Sequence, residues 1–199
     1  MARPTGRELK GEVLAEATLA IQRRGVEGLS YGSLAERLGV RAPSIHHHFR
    51  RKDELVLAVT AAYCDEFQVR VDAIDDPSPS RRVRRYAELF DEVAADGRLC
   101  LCGAVAADWA TVDDEIRRLV SGFFADQATW LTRQLDQATA DGELAADTEA
   151  GPLADALLAA LEGSLLVRRA DVEPAGAAAL VDTMLTLAGR QAGRGNDRR

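Results

Sequence analysis

Apolar positions recur at helical spacing along nearly the whole chain. Leu9, Val13, Ala17, Ala20 and Ile21 fall on one face of a segment over residues 7–24, which predicts an amphipathic helix. Gly25 and Gly28 end it, and Ser30 is placed to cap a second, short helix carrying Leu34, Ala35 and Leu38. Gly39 and Val40 form a tight turn. Pro43 suits the first turn of a third helix, where a missing N–H costs nothing, and Phe49 closes it. A long fourth helix is predicted over 52–74, followed by the breaker Asp-Asp-Pro-Ser-Pro-Ser at 75–80. Further helices are predicted over 81–95, 101–109, 111–140, 152–169 and 174–189. The longest begins near the acidic run Asp113, Asp114, Glu115, where the helix dipole favours negative charge, and the last two open on Pro152 and Pro174. The tail over 192–199 is predicted to be disordered. Ala and Leu are abundant and β-branched residues sparse, so the fold class is all-α with about nine helices.

Composition narrows the function more than the fold. Three cysteines are too few and too unevenly spaced for a disulfide scaffold. No uninterrupted apolar run reaches bilayer-spanning length, and the first residues carry acids where a signal peptide has its apolar core. A cytoplasmic location without membrane partners is expected. The net charge of −7 argues at first against nucleic acid, but its distribution reverses that. Residues 1–52 hold ten Lys and Arg against five Asp and Glu; residues 53–199 hold fifteen against twenty-seven. A basic head on an acidic body offers a local phosphate-binding face, and it divides the chain at residue 52 into a head and a body.

The basic head contains the two short helices and the glycine turn, a helix-turn-helix layout that points to sequence-specific DNA binding. At 100° per residue, Ile45 and Phe49 share the face of the third helix that packs inward. Pro43, Ser44, His46, His47 and Arg50 lie opposite, with Arg41 just before them. Ser and His can donate or accept at base edges, and Arg50 can meet phosphate. Lys52 is a second phosphate contact, and Ser30 and Ser33 stand at the start of the second helix for the other rim. Three adjacent histidines could instead be a metal tract, but helical neighbours point 100° apart and do not converge on one ion. No metal, cofactor or catalytic group is expected.

Gly25 ahead of Leu29-Ser30, the run Leu-Ala-Glu-Arg-Leu-Gly-Val over 34–40, and Pro-Ser-Ile-His-His-His-Phe followed by Lys-Asp-Glu-Leu closely resemble the N-terminal domain of the tetracycline-repressor (TetR/AcrR) family of bacterial regulators. Members often have Tyr where this chain has His46. The resemblance implies a ligand-responsive repressor: a helix-turn-helix DNA-binding domain over 1–52, and a ligand-binding and dimerisation domain over 53–199. Its partners would be a double-stranded, palindromic operator, a small-molecule inducer and a second copy of the chain.

From periodicity alone, the apolar stripes of the last two helices suit either intramolecular core or a subunit interface. The resemblance favours the interface, formed by Leu157, Leu161, Ser164, Leu165, Val181, Met184 and Leu185. It also implies a pocket in the middle helices, where Tyr86, Phe90, Trp109, Phe123, Phe124 and Trp130 concentrate. The segment over 96–144 looks like a subgroup with Cys-Leu at the start of the sixth helix and an acid eight positions on. Some members respond to electrophiles or unsaturated acids, with a cysteine as sensor. Cys100 matches that position and Asp108 the acid; Cys102 is additional. A thiol at a helix N-terminus near Arg98 would be activated, whereas the ordinary state of a free cysteine is a small buried hydrophobe. Two other readings stay open: a thiol-dependent helical enzyme using Cys100, and a helical adaptor that binds only protein.

Overall fold

The computed structural model describes residues 6–170, 172–173 and 175–191. Among them the regular structure is helical. The helices are α1 (Gly6–Arg24), α2 (Tyr31–Leu38), α3 (Ala42–His48), α4 (Lys52–Asp72), α5 (Pro79–Ala94), α6 (Leu101–Ala107), α7 (Asp114–Ala140), α8 (Ala150–Arg169) and α9 (Ala177–Gln191), with one 3-10 turn at Trp109–Thr111.

The chain forms two compact units. One runs to Gln68 and resumes over Cys100–Phe123; the other holds Val69–Leu99 and the chain from Phe124 onward. Two of the three divisions fall inside helices, α4 and α7, and the third between α5 and α6.

In the first unit, α1 packs on α2, α3 and α6, and α2 packs on α3. The face of α1 expected to be apolar is the buried one: Val13, Ala17 and Ile21 are fully covered, with Leu9 and Ala20 nearly so. Gly25 ends α1 in the left-handed region at φ 73°, a conformation that costs glycine least.

The second unit is built on α5, which packs against α8 and α9, themselves in contact. The helix α5 starts two residues earlier than the expected 81. The Ser-Pro pairs read as a breaker, but Ser78 is the N-cap, its hydroxyl accepting the Arg81 N–H at 3.2 Å, and Pro79 begins the helix. A proline there loses no hydrogen bond that the first turn could have made. Similarly, α7 starts at Asp114, later than expected, because the Asp113 carboxylate accepts the N–H groups of Glu115 and Ile116 at 3.1 and 3.0 Å. The last helix starts at Ala177; Pro174 and the expected disordered tail over 192–199 lie outside the described residues.

Two long-range carboxylates fasten the second unit. Asp91 on α5 accepts the Ala177 N–H at 2.9 Å and the Ala178 N–H at 3.4 Å, satisfying donors that the first turn of α9 cannot satisfy internally. Glu143, after α7, accepts the Ser78 hydroxyl and the Ser80 N–H, both at 2.9 Å, at the start of α5.

The expected interface stripe is largely core. Leu157, Leu161, Leu165 and Val181 are at most 2% exposed and Ser164 is buried, while Met184 and Leu185 are half-buried. Helical periodicity marks an apolar face without saying which neighbour covers it, and here the neighbours are α5, α8 and α9 of the same chain. The large apolar side chains that α8 and α9 leave exposed are Leu166, Val167 and Leu187. Taken alone, α8 is long and apolar enough to cross a bilayer, which departs from the expectation that no stretch reaches that length. It packs on α5 and α9 in this unit.

Candidate functional site

The helix-turn-helix is set by short-range chemistry. Ser30 stands in extended conformation and its hydroxyl accepts the Ser33 N–H at 3.2 Å, capping α2. Gly39 adopts φ 64°, and its N–H returns to carbonyls at the end of α2, so the chain turns at once into α3. Arg41 is the N-cap of α3, with Pro43 in the first turn. Ile45 is fully covered and Phe49 is 4% exposed, so α3 is anchored by that face. Lys10 adds a contact, its ammonium 5.8 Å from the Phe49 ring centre.

The opposite face carries the expected groups. Arg41, Pro43, His46, His47 and Arg50 are exposed, and Ser44 and Lys52 are half-buried. Ser30 is exposed and Ser33 half-buried, with the Ser30 hydroxyl already engaged by the cap. Among the described residues, Arg41, Lys52 and the Arg50 side chain make no ion pair or hydrogen bond. The neighbouring cations are occupied: Arg37 pairs with Glu16, and Arg51 with Glu54 at 3.3 Å. The Arg50 backbone is fixed as well, since its N–H donates to Glu54 at 3.0 Å. That hydrogen bond is the main cause holding the Glu54 carboxyl below its ordinary value, although burial acts the other way.

Tyr31 was missed by the sequence reading. Its ring lies 4.2 Å from that of His46, tilted by 51°. Burial, then the charges of Glu54 and Asp53, raise its phenol above the ordinary 10.0, so it stays a neutral aromatic support. An aromatic residue directly after the Ser30 cap was the signal available. His47 and His48 sit edge to face, 5.4 Å apart, and no group among the described residues is arranged to hold a metal ion.

The expected pocket residues divide between the units. In the first, Cys100 is 2% exposed and caps α6 with its backbone, while the Tyr63 hydroxyl donates to its sulfur at 3.7 Å. Phe123 is buried, its ring 6.2 Å from Tyr63 and 5.3 Å from Phe67. Cys102, the additional cysteine, lies with its sulfur 3.7 Å from that of Cys64 on α4. Contact with Cys100, then with Cys64, and burial push the Cys102 thiol far up, so it is held protonated. Trp109 is a partly exposed aromatic of this unit, at 41%, and the Arg117 guanidinium lies 5.9 Å from its ring while donating to its carbonyl at 3.1 Å. In the second unit Tyr86, Phe90 and Trp130 are buried together, with Tyr86 stacked on Trp130 at 5.3 Å and 5.5 Å from Phe90. Phe124 is half-buried there.

Asp108, matched only as an acid of a subgroup, has a concrete task. It ends α6 and its carboxylate accepts the Val26 N–H at 2.6 Å, in the turn between α1 and α2.

Comparison with known proteins agrees with this arrangement. The sequence profile described as bacterial regulatory proteins, tetR family, matches residues 13–59, and that of the tetracyclin repressor-like C-terminal domain matches 79–184. The transcriptional regulator AcuR of Cereibacter sphaeroides is 28% identical over 163 residues, 77% of this chain and 73% of its own. The HTH-type transcriptional regulator TtgR of Pseudomonas putida is 26% identical over 169 residues, 81% of this chain and 80% of its own. Among solved structures, a TetR-family transcriptional regulator from Agrobacterium tumefaciens superposes with a TM-score of 0.86 at 25% identity, covering 93% of this chain and 100% of that one. With the reading helix in place and both halves matched by the family's profiles, the chain belongs to the tetracycline-repressor family of bacterial transcriptional regulators.

Proposed function

We propose that this regulator is a repressor that binds a palindromic operator as a homodimer and leaves it when a small-molecule effector binds. The observation that carries the reading is the exposed face of α3, where Ser44, His46 and His47 are flanked by the uncompensated cations Arg41, Arg50 and Lys52. Ser and His address base edges, while the cations neutralise phosphates on either side. A homodimer repeats that face by symmetry, so the two half-sites should lie about one helical turn apart. The exposed Leu166, Val167 and Leu187 supply the apolar surface for pairing.

Effector binding then acts as a linkage. A ligand that prefers a spacing of the reading heads different from the one DNA prefers weakens operator affinity by that preference. Cys100, with Tyr63 and Phe123 beside it, is the proposed effector contact of the first unit; Tyr86, Phe90 and Trp130 are those of the second. A thiol-dependent enzyme has less support. Cys100 is 2% exposed, and the only histidines of the chain are His46, His47 and His48 on the reading helix.

The test is selection from random short duplexes at moderate salt, followed by sequencing. A palindromic consensus supports the reading and supplies the probe for an effector screen. No enrichment, together with repeated turnover of an electrophile, would favour the enzyme.

A further inference from the structure

The second unit contains a cavity of about 310 Å³ that neither DNA reading nor subunit pairing uses, at the lower end of the ~300–1,000 Å³ range of small-molecule sites. Its walls come from the end of α4, the start of α5 and the second half of α7. The lining is mostly polar, with Arg82, Arg133 and Asp72 giving charge and Val71, Ile74 and Trp130 a narrow apolar edge.

The arginines of α5 show what is unusual. Arg81 pairs with Asp76, Arg84 with Asp182 and Arg85 with Glu88. Arg82, the one that lines the cavity, makes no ion pair among the described residues, and its Nε is buried without a hydrogen-bond partner. Arg133, across the cavity on α7, likewise has no partner among the described residues. A buried guanidinium N–H is rarely left unsatisfied, because its hydration is lost and nothing replaces it.

The shape and charge of the lining choose the ligand. Trp130 is held in place by stacking on Tyr86, 25° from parallel, and so presents a fixed aromatic edge to the cavity. Two guanidinium groups against the Asp72 carboxylate, itself engaged in another interaction, leave a lining of net charge +1. A monoanion neutralises that charge; a phosphate dianion overshoots it and repels Asp72. Guanidinium forks also match the planar carboxylate with paired hydrogen bonds.

We propose that this cavity binds a small organic monocarboxylate with a flat apolar body, its carboxylate taken by Arg82 and Arg133 and its body set against Trp130, Val71 and Ile74. The site names a ligand class for the effector contact proposed at Trp130 and rests on that reading, while it does not depend on DNA reading.

Trp130 reports on the site directly. The chain has two tryptophans, and Trp109→Phe leaves Trp130 as the single fluorophore. That protein is titrated with benzoate, with neutral benzamide of the same shape, and with inorganic phosphate. The expected result is a saturable change with benzoate and at least about tenfold weaker binding of benzamide and phosphate. Arg82→Gln and Arg133→Gln should each weaken benzoate by about tenfold or more, with circular dichroism unchanged. Arg133 is exposed, so its replacement tests the site even where Arg82→Gln disturbs packing. Equal binding of benzamide, phosphate binding tighter than benzoate, no saturation, or full affinity in Arg133→Gln would each overturn the proposal. Operator binding, measured separately on the same Trp109→Phe protein, reports on the repressor reading, so the two can fail independently.

Discussion

The Asp108 carboxylate accepts the backbone N–H of Val26 at 2.6 Å, across 82 residues of sequence. It ties the end of α6 to the turn that leads from α1 into the reading helices. Gly25 is shaped for it: φ is 73°, and an added Cβ would stand 2.6 Å from the same carboxylate oxygen. Asp108→Ala removes a charge-assisted acceptor from a half-buried N–H and should cost about 1.5–3 kcal/mol. Gly25→Ala adds backbone strain to the collision and should cost more than about 1 kcal/mol. Denaturant midpoints check both, and a midpoint unchanged in Asp108→Ala would remove the tie from the account.

On DNA, the two kinds of contact should separate. Arg50→Ala and Lys52→Ala should weaken all duplexes alike and each lower the slope of log affinity against log salt by about 1. His47→Ala should cost about 1–3 kcal/mol on the selected operator and little on random duplex. Anisotropy titrations over a salt series read both effects. Loss of equal size on specific and random duplex in His47→Ala would move His47 from the bases to the backbone.

Acid should loosen the second unit through Glu143. Burial alone would raise its carboxyl, but hydrogen bonds from Ser80 and Ser78 and the charge of Arg81 outweigh it and hold it below the ordinary 4.5. A carboxyl depressed in the folded state stabilises above its unfolded value, and that contribution is lost as pH falls through the folded value. The thermal midpoint of the native protein should therefore drop more steeply below pH 4.5 than that of Glu143→Gln. Parallel melting curves across that range would show that Glu143 carries no such linkage.

Core and surface on α8 should respond oppositely. Leu161 is fully covered and Leu166 is 58% exposed. Leu161→Ala should destabilise by about 2–5 kcal/mol through the lost contacts and the cavity left behind. Leu166→Asp should keep the helical signal while sedimentation shows a mass of one chain where the native protein shows two. A native dimer that survives Leu166→Asp would place the subunit interface elsewhere.

The reading head was legible in the sequence because its determinants are local. A serine three residues ahead of the N–H it caps, a glycine at a left-handed turn, and Ile45 and Phe49 four apart need no knowledge of the rest of the chain. The second unit was legible only as a set of helices. The Leu157, Leu161 and Leu165 stripe has the same spacing whether its cover is α5 or another subunit, and only the packing decides. The Ser78-Pro79 pair could have been read as a cap and first turn, since both residues favour those positions. Tyr31 against His46, and Val26 against Asp108, could not have been read. Their pairing depends on how α2 meets α3 and how α6 meets α1, and no spacing along the chain encodes either.

Asp91 has a consequence for the order in which the protein is made. Its carboxylate accepts the Ala177 N–H, 86 residues further on. On the ribosome, α5 emerges long before that N–H exists, and the carboxylate gains its α8 partner, Arg168, before it can meet α9. The final helix then meets a prepared anion at its N-terminus, where its dipole and open N–H groups are strongest. A nascent chain stopped before Ala177 already holds Arg168, the other partner of that acid, but lacks the two N–H donors that complete the clasp.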